Sequence, residues 1–174
     1  MTSGLRRARA ASLLLAAGAV LSGCMYSFTG GGLPSNIRTV YVDLWDNTTQ
    51  YEFLRSDVQR KLQDELPRSL GVRLAPQQTA DAIVRGKLTN YDEQVTNFDP
   101  NTAGGRITTN QTRVQITFDA EIFDVKNNRV LWQQGSISAI GLFNREAGET
   151  ADVGRRKAMD DLVQKLVQGA QSQW

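Results

Sequence analysis

The stretch TRVQITFDAEIFDV, residues 112–125, alternates polar and apolar side chains from Arg113 to Ile122. Successive side chains of a strand point to opposite faces of a sheet, so the pattern predicts a strand that is buried on one face only. Its predicted inner set is Val114, Ile116, Phe118, Ala120 and Ile122, and its outer set is Arg113, Gln115, Thr117, Asp119 and Glu121. Because the outer set is polar throughout, we expect water or a polar partner to cover that face.

Three further segments show strand periodicity: RTVYVDLW (38–45), ADAIVRGKLTNY (80–91) and RVLWQQGSISAI (129–140). In the first, Val40, Val42 and Leu44 lie on one predicted side, and Thr39, Tyr41, Asp43 and Trp45 lie on the other. Gly86 within the second suggests a bulge or a close backbone approach. Asn127-Asn128 before the third predicts a two-residue hairpin turn, since Asn tolerates the positive φ of such turns.

Two segments have helical periodicity. Leu54, Val58, Leu62 and Leu66 recur every four residues and predict a helix that ends around Pro67 and Gly71. Thr49 and Glu52 before it have the spacing of a capping box. A second helix is predicted to start near Thr150, with an apolar stripe formed by Met159, Leu162, Val163, Leu166, Val167, Ala170 and Trp174. Residues 92–111 and 141–149 show no period, which predicts loops.

The predicted order of elements is β-α-β-β-β-α. Each helix has one apolar stripe and the sheet has one apolar face, so both helices must cover the same side. The sequence therefore predicts an α+β fold, a two-layer sandwich with two helices on one face of a mainly antiparallel four-stranded sheet.

Composition excludes several classes of function. The chain of 174 residues contains no histidine and one cysteine. It therefore cannot form a Ser-His-Asp or Cys-His site, a histidine-containing metal site or an internal disulfide. Three of its 20 basic residues precede Cys24, which leaves 17 against 18 acidic residues, a charge of about −1. That balance argues against nucleic acid as a partner.

The only cysteine lies at the end of a signal-peptide pattern. The basic start MTSGLRRARA is followed by the apolar run ASLLLAAGAVL, which is too short to span a bilayer, and then by Leu21-Ser22-Gly23-Cys24. This last motif resembles the lipobox of bacterial lipoproteins, whose cysteine receives a diacylglyceryl thioether before cleavage. We predict a cleaved signal peptide over 1–23, a lipidated tether over 24–36 and a single domain over 37–174. The residue after the cysteine is Met25 rather than Asp, which resembles the pattern of bacterial lipoproteins that are sorted to the outer membrane.

The mature chain resembles the lipopolysaccharide-assembly lipoproteins of the LptE family. The start CMYSF (24–28) is similar to the family's Cys-Gly-Tyr-x-Phe opening. IRTVYVDLWDNTT (37–49) is similar to the family's pattern of a strand followed by Asn-x-Thr. ADAIVRGKLTNY (80–91) resembles the family's Ala-Asp-x-x-Leu-x-Gly-x-Ile-x-x-Tyr motif. RVLW (129–132) resembles the family's segment after the hairpin. The chain departs from the pattern at Met25 and by an extra glycine in TGGG (29–32).

The resemblance implies a role without catalysis. Such lipoproteins plug a large outer-membrane β-barrel, LptD, help it assemble, and assist the insertion of lipopolysaccharide into the outer leaflet. The implied partners are this barrel, lipopolysaccharide and the outer membrane, with acyl chains on Cys24 as the anchor and no cofactor or metal.

Two alternatives remain at this stage. The segment VYVDLWDNTT also resembles outer-membrane lipoproteins of the curli-secretion and penicillin-binding-protein-activator type, which act as protein-interaction modules. An enzyme would have to use Asp119, Glu121 and Asp124 as an acid pair or metal site, but the first two are equally the solvated side of a strand.

Lipopolysaccharide carries phosphates, which planar guanidinium groups bind well. In a meander of the last three strands, residues 92–111 and 141–149 leave at one end, which gathers Arg106, Arg113 and Arg145. Lys126 and Arg129 lie at the opposite end. We predict lipopolysaccharide contact at Arg106, Arg145 and Arg113, because a long Gly-rich loop can adapt to a glycolipid. The alternative for each residue is a solubilising surface charge.

Replacing Cys24 by Ser tests the anchor. We expect the variant to fold normally and to lose acylation together with signal cleavage, because the thiol contributes to no predicted core element. Mass spectrometry of the membrane fraction measures both modifications. An identical mature mass for the two proteins would contradict the lipobox assignment.

Overall fold

A computed structural model describes residues 33–96 and 111–172 of the chain. The predicted signal peptide, Cys24, Arg106 and Trp174 lie outside the described residues. The described residues form one compact unit.

The described chain contains six strands and two helices. In order they are β1 (Thr39–Val42), β2 (Asp46–Asn47), α1 (Phe53–Leu70), β3 (Arg73–Leu74), β4 (Ala82–Thr96), β5 (Gln111–Asp124), β6 (Arg129–Asn144) and α2 (Ala151–Gln171). The strands form one sheet in the order β3-β1-β4-β5-β6, and β2 also pairs with β4.

The α+β class with two helices is confirmed, but a four-stranded, mainly antiparallel sheet is wrong. β1 is parallel to both β3 and β4, and β2 is parallel to β4, whereas β4, β5 and β6 form an antiparallel ribbon. The sheet is therefore mixed. Two of its strands, β2 and β3, have two residues each, too few for a periodic pattern to reveal them.

The predicted strand over 38–45 is divided by an extra residue. Val42 pairs with Val84 and Asp46 pairs with Lys87, so four steps along one strand oppose three along the other. Because a one-residue shift exchanges the faces of a strand, the prediction for its end is wrong. Trp45 is buried at 1% exposure, whereas Leu44 is 60% exposed.

Gly86 provides the space that Trp45 occupies. A Cβ atom at position 86 would lie 2.4 Å from two carbons of the Trp45 indole, so only glycine fits there without movement. On its other side the indole packs against Phe118, with 5.7 Å between ring centroids. The close approach at Gly86 is therefore made by a side chain, and the bulge in β4 lies two residues later, between Leu88 and Asn90.

The strict alternation predicted for β5 is confirmed, because every second residue from Thr112 to Asp124 is buried. The ribbon is longer than predicted: residues 92–96 belong to β4, Gln111 to β5 and 141–144 to β6. Residues 97–110 of the predicted loop lie outside the described residues.

The β5–β6 turn contains four residues, 125–128, rather than the two predicted. Asn128 has the predicted positive φ, at 50°. The turn is longer because Asp124 accepts hydrogen bonds from the backbone N–H of Asn127 at 3.0 Å and from its side chain at 2.7 Å.

The helix boundaries agree with the sequence except at the capping box. α1 begins after Glu52, and no side-chain hydrogen bond caps it. Thr49 instead donates to Asn47 Oδ1 at 2.8 Å, because its hydroxyl closes a local turn before the helix. Pro67 lies inside the last turn, and Gly71 ends the helix in the left-handed conformation with φ 69°. Thr150 precedes α2 as predicted.

Both helices pack on the same face of the sheet and share one hydrophobic core with it. Its largest fully buried side chains include Trp45, Phe118, Phe143, Leu54, Leu62 and Leu166. Neither helix of the described chain combines the length and apolarity that crossing a membrane requires.

α2 also covers the outer edge of β6 through three side chains one helical turn apart. Lys157 donates to the carbonyl of Leu142 at 2.9 Å, and Asp161 accepts from the N–H of Ile140 at 2.7 Å. Lys165 donates to the carbonyl of Ser138. Charged side chains thus satisfy backbone groups that an exposed strand would offer to another chain. We call these three residues the edge lock.

Replacing Gly86 by Ala should lower the free energy of unfolding by about 1–3 kcal/mol, because the new methyl group overpacks against Trp45. Urea denaturation measures the change. The exposed neighbour Lys87→Ala serves as the control, with an effect within about 0.5 kcal/mol. Adding Trp45→Phe should make the pair cost less than the sum of the two single changes. Strict additivity would mean that the indole does not limit this site.

Candidate functional site

The face of the sheet opposite the helices is polar along most of its length. The predicted outer residues of β5 lie here, and register places polar neighbours beside them. From the hairpin end towards the other end, the cross-strand rows are Arg85–Glu121–Gln133, Lys87–Asp119, Asn90–Thr117–Ser138, Asp92–Gln115–Ile140 and Gln94–Arg113–Leu142. We call this surface the outer face.

A shallow pocket of about 400 Å³ lies near the middle of the outer face. It forms where β6 bulges opposite Asp119, and Ser136 in this bulge has a positive φ of 54°. Asp119 holds the bulge by accepting the N–H of Ser136 at 2.8 Å. The pocket is lined by Arg85, Gly86, Lys87, Asp119, Ala120, Glu121, Gln133, Gln134 and Gly135. Both signs of charge are present, so it offers a mixed polar surface rather than a cation or anion site.

Arg113 and Arg145 lie at the same end of the ribbon, as predicted, but on different sides of it. Arg113 is on the outer face and donates to Gln94 Oε1 at 3.1 Å. The guanidinium of Arg145 lies 5.5 Å from the ring centroid of Phe143, whose side chain is buried under α2. The two arginines therefore lie at one end of the ribbon but not on one face, and Arg106 lies outside the described residues. We call this end of the ribbon the distal end.

Arg145 belongs to a turn that Glu149 holds in place. The Glu149 carboxylate accepts the N–H of Asn144 at 2.7 Å and also contacts Lys157 at 3.4 Å. The hydrogen bond from Asn144 and, after it, the Lys157 ammonium lower the pKa of Glu149. The turn therefore presents Arg145 from a fixed backbone.

Two buried carboxylates organise the opposite, hairpin end. Asp81, 7% exposed, accepts from the N–H groups of Arg38 and Thr39 at 2.9 and 3.0 Å and pairs with Lys126 at 2.5 Å. The Lys126 ammonium, followed by the Arg38 N–H, holds the pKa of Asp81 well below its usual range.

Asp124 is fully buried at the same end. Burial raises the pKa of Asp124, but hydrogen bonds from Asn127 and Asn36 and the charge of Arg129 outweigh it, so the pKa lies below its ordinary value. Asp124 faces inwards, away from Asp119 and Glu121, so the three acids of the enzyme alternative do not form one site. Within residues 33–96 and 111–172 no cluster of three or more His, Cys, Asp or Glu could hold a metal ion.

The outer face becomes apolar at the hairpin end. Tyr41, Ile83, Phe123 and Val130 form one row across four strands, and Val125 follows at the start of the turn. Val125 and Val130 are 39% and 46% exposed. We call these five residues the hairpin patch. The sequence does not reveal this patch, because its members come from different segments and meet only through the register of the sheet.

A groove of about 610 Å³ runs between the two helices on their solvent side. Its lining is rich in charge, but most of these groups pair with each other. Lys61 contacts both Glu65 and Asp160, and Arg155 lies 3.7 Å from Asp57 and 2.5 Å from Asp152. The Lys61–Asp160 and Arg155–Asp57 pairs tie α1 to α2, which makes the groove a structural feature rather than the leading site.

A family model described as LptE, lipopolysaccharide-assembly, matches residues 37–170. The match includes all six described strands, α1 and nearly all of α2. No curated protein matches the chain.

Several solved structures resemble the chain at low sequence identity. A hypothetical protein from Chlamydia trachomatis has a TM-score of 0.54 and 9% identity, over 78% of this chain and 99% of that one. A minor lipoprotein from Acinetobacter baumannii has a TM-score of 0.48 and 13% identity, over 80% and 94%. The uncharacterized lipoprotein B of Nitrosomonas europaea has a TM-score of 0.48 and 12% identity, over 82% and 86%. The first of these shows a shared fold.

Replacing Asp81 by Asn should lower the free energy of unfolding at pH 7 by about 1–3 kcal/mol, because the hydrogen bonds to a charged acceptor weaken. Since the pKa of Asp81 is lower in the folded state, its stabilisation is complete above the unfolded pKa of about 4 and is lost as pH falls towards the folded value. The difference between wild type and variant should therefore shrink below about pH 4.

Chemical denaturation across this pH range provides the measurement, with the exposed Asp64→Asn as the control. A difference that stays constant down to acid pH would show that the charge of Asp81 does not stabilise the fold.

Proposed function

Since this chain belongs to the lipopolysaccharide-assembly family LptE, we propose that it is an outer-membrane lipoprotein that plugs an LptD-type β-barrel. In this role it helps the barrel to assemble and assists the insertion of lipopolysaccharide into the outer leaflet. Membership of the family supports a role in lipopolysaccharide assembly rather than in catalysis. The extent of the match also favours this family over the curli-secretion type, which shares only the first strand and turn.

The outer face is the observation that carries the proposal. Large outer-membrane barrels have wide, polar lumens. A plug for such a lumen needs a rigid surface with many hydrogen-bonding groups and little net charge. The outer face has this character, because its rows combine amides, hydroxyls and both signs of charge on a continuous three-stranded ribbon. The helices already cover the apolar face on the other side of the sheet.

The anchor would hold the protein at the hairpin end. Asn36, at the end of the predicted tether, donates to Asp124 Oδ2 at 3.4 Å, which fixes the entry of the chain beside the β5–β6 turn. Acyl chains on Cys24 would each contribute about 0.8 kcal/mol per buried CH₂, and several chains together give stable attachment.

Lipopolysaccharide would be contacted at the distal end, away from the anchor. Arg113 and Arg145 both lie there, and residues 97–110, which contain Arg106, connect two strands at that end. Guanidinium groups bind phosphate through two parallel hydrogen bonds. Ile140 and Leu142, 37% and 42% exposed, adjoin Arg113 on the outer face and provide the apolar component that an amphiphile requires.

We expect the protein to be extracted in mild detergent together with a β-barrel several times its mass. Gln133→Arg on the outer face should reduce the recovered barrel, because overpacking a fitted contact costs about 1–3 kcal/mol, or at least about fivefold in affinity. Gln164→Arg, an exposed position on α2, is the matched control and should not change recovery. Recovery of the wild type as a free monomer would contradict the proposal, and equal loss in both variants would place the contact elsewhere.

Replacing Arg106 and Arg145 together by Ala should weaken lipopolysaccharide binding while barrel association persists. Binding of purified protein to labelled lipopolysaccharide measures the first property, and copurification measures the second. Lys126→Ala with Arg129→Ala is the comparison at the opposite end. Because both of these residues pair with buried carboxylates, a thermal melt must first show that this variant is folded. Loss of binding only in the comparison variant would reverse the proposed orientation.

A further inference from the structure

We propose that the hairpin patch is a membrane-contact surface that rests on the phospholipids of the leaflet holding the lipid anchor. This inference rests on the proposed function for the anchor at Cys24, and it adds a second, non-covalent attachment made by the folded domain itself.

The composition of the patch suits an interfacial contact. Val125 and Val130 flank the turn at 39% and 46% exposure, the half-buried Phe123 lies beside Val130, and Ile83 behind them is buried. Tyr41 completes the row, and a tyrosine ring is apolar along its body with a polar tip, as the boundary between headgroups and acyl chains requires.

The charges around the patch complete this arrangement. Lys126 and Arg129 lie in or beside the turn, with side chains 64% and 55% exposed, and Arg38 is exposed nearby. Asp81 and Asp124 pair with the first two, and both carboxylates are buried. Three exposed cations over two buried acids leave a net charge of about +1 at the surface, so the outermost charges are positive. These outer positive charges attract phospholipid phosphates, and Val125 and Val130 supply the apolar contact.

The tether restricts how far this surface can lie from the membrane. Leu33 is nine residues after Cys24, so the attachment point lies at most about 30 Å along the chain from the start of the described domain. Asn36 then bonds to Asp124, directly beside Val125. The distal end lies a further strand length away, about 45 Å for a strand of this size. The anchor thus keeps the hairpin patch, and not the distal end, next to the bilayer.

A fluorescent probe can test this contact in the acylated protein. When Cys24 is acylated, a single introduced cysteine is the only free thiol, since the chain has no other. We would place an environment-sensitive fluorophore at Val125→Cys and reconstitute the protein into vesicles of phosphatidylethanolamine and phosphatidylglycerol. The expected result is a blue-shifted emission that aqueous iodide does not quench. The matched control, Val95→Cys at the distal end, where Val95 is 57% exposed, should show unshifted, fully quenched emission.

A second pair of variants separates contact from mere proximity. With the probe at Val130→Cys, adding Val125→Asn should remove the blue shift, because the apolar contact is lost. With the probe at Val95→Cys, adding Val125→Asn should change nothing. Thermal melts of the labelled variants confirm that each retains the fold.

The remaining outcomes decide against the inference. An acylated protein whose probe at 125 stays quenched in phospholipid vesicles overturns the membrane contact while leaving the anchor intact. A shift that arises only when the barrel is added would assign the hairpin patch to the barrel instead. A protein that carries no acyl chain overturns both the anchor and this inference.

Discussion

The indole of Trp45 fills the space that a side chain at position 86 would need, and the rest of the sheet is built around this contact. To bring Trp45 inside, the chain inserts one extra residue between β1 and β2, both of which pair with β4. The contact with Phe118 then extends the same cluster into β5. A single buried ring thereby joins the short parallel strands to the antiparallel ribbon, and its position sets which residues face the helices on either side.

The features that could be predicted from the sequence are those that a local pattern specifies. The alternation in β5 has no interruption from Arg113 to Ile122, and α2 follows a cap residue and carries a long apolar stripe, so both were predicted correctly. The end of the first strand was not, because the burial of Trp45 depends on Gly86, which lies about forty residues away. The parallel pairing was missed since β1 and β4 are separated by α1, and alternation carries no information on strand direction. The hairpin patch likewise depends on the register between strands. The residues proposed for lipopolysaccharide contact depend instead on the antiparallel order of β4, β5 and β6, which the sequence does predict.

The two ends of the ribbon differ in chemistry, and the outer face joins them. At the hairpin end, buried carboxylates fix the entry of the tether, and apolar side chains surround the turn. The distal end carries Arg113 and Arg145, and the exposed aliphatic residues Ile140 and Leu142 lie beside Arg113. Between them the surface is polar and nearly neutral. A molecule with this gradient has one orientation in which each end meets a compatible environment, so the proposed placement would follow from its own surface and not from the proposed anchor alone.

The edge lock has a consequence for the biogenesis of the protein. Lys157, Asp161 and Lys165 come from α2, which is synthesised after β6, yet they cover backbone groups of that strand. Since a chain is synthesised from its N-terminus, the ribbon can pair while the edge of β6 is still bare. During that interval the nascent protein presents a template for aggregation. The arrival of α2 ends the exposure, which makes this helix a built-in safeguard against aggregation.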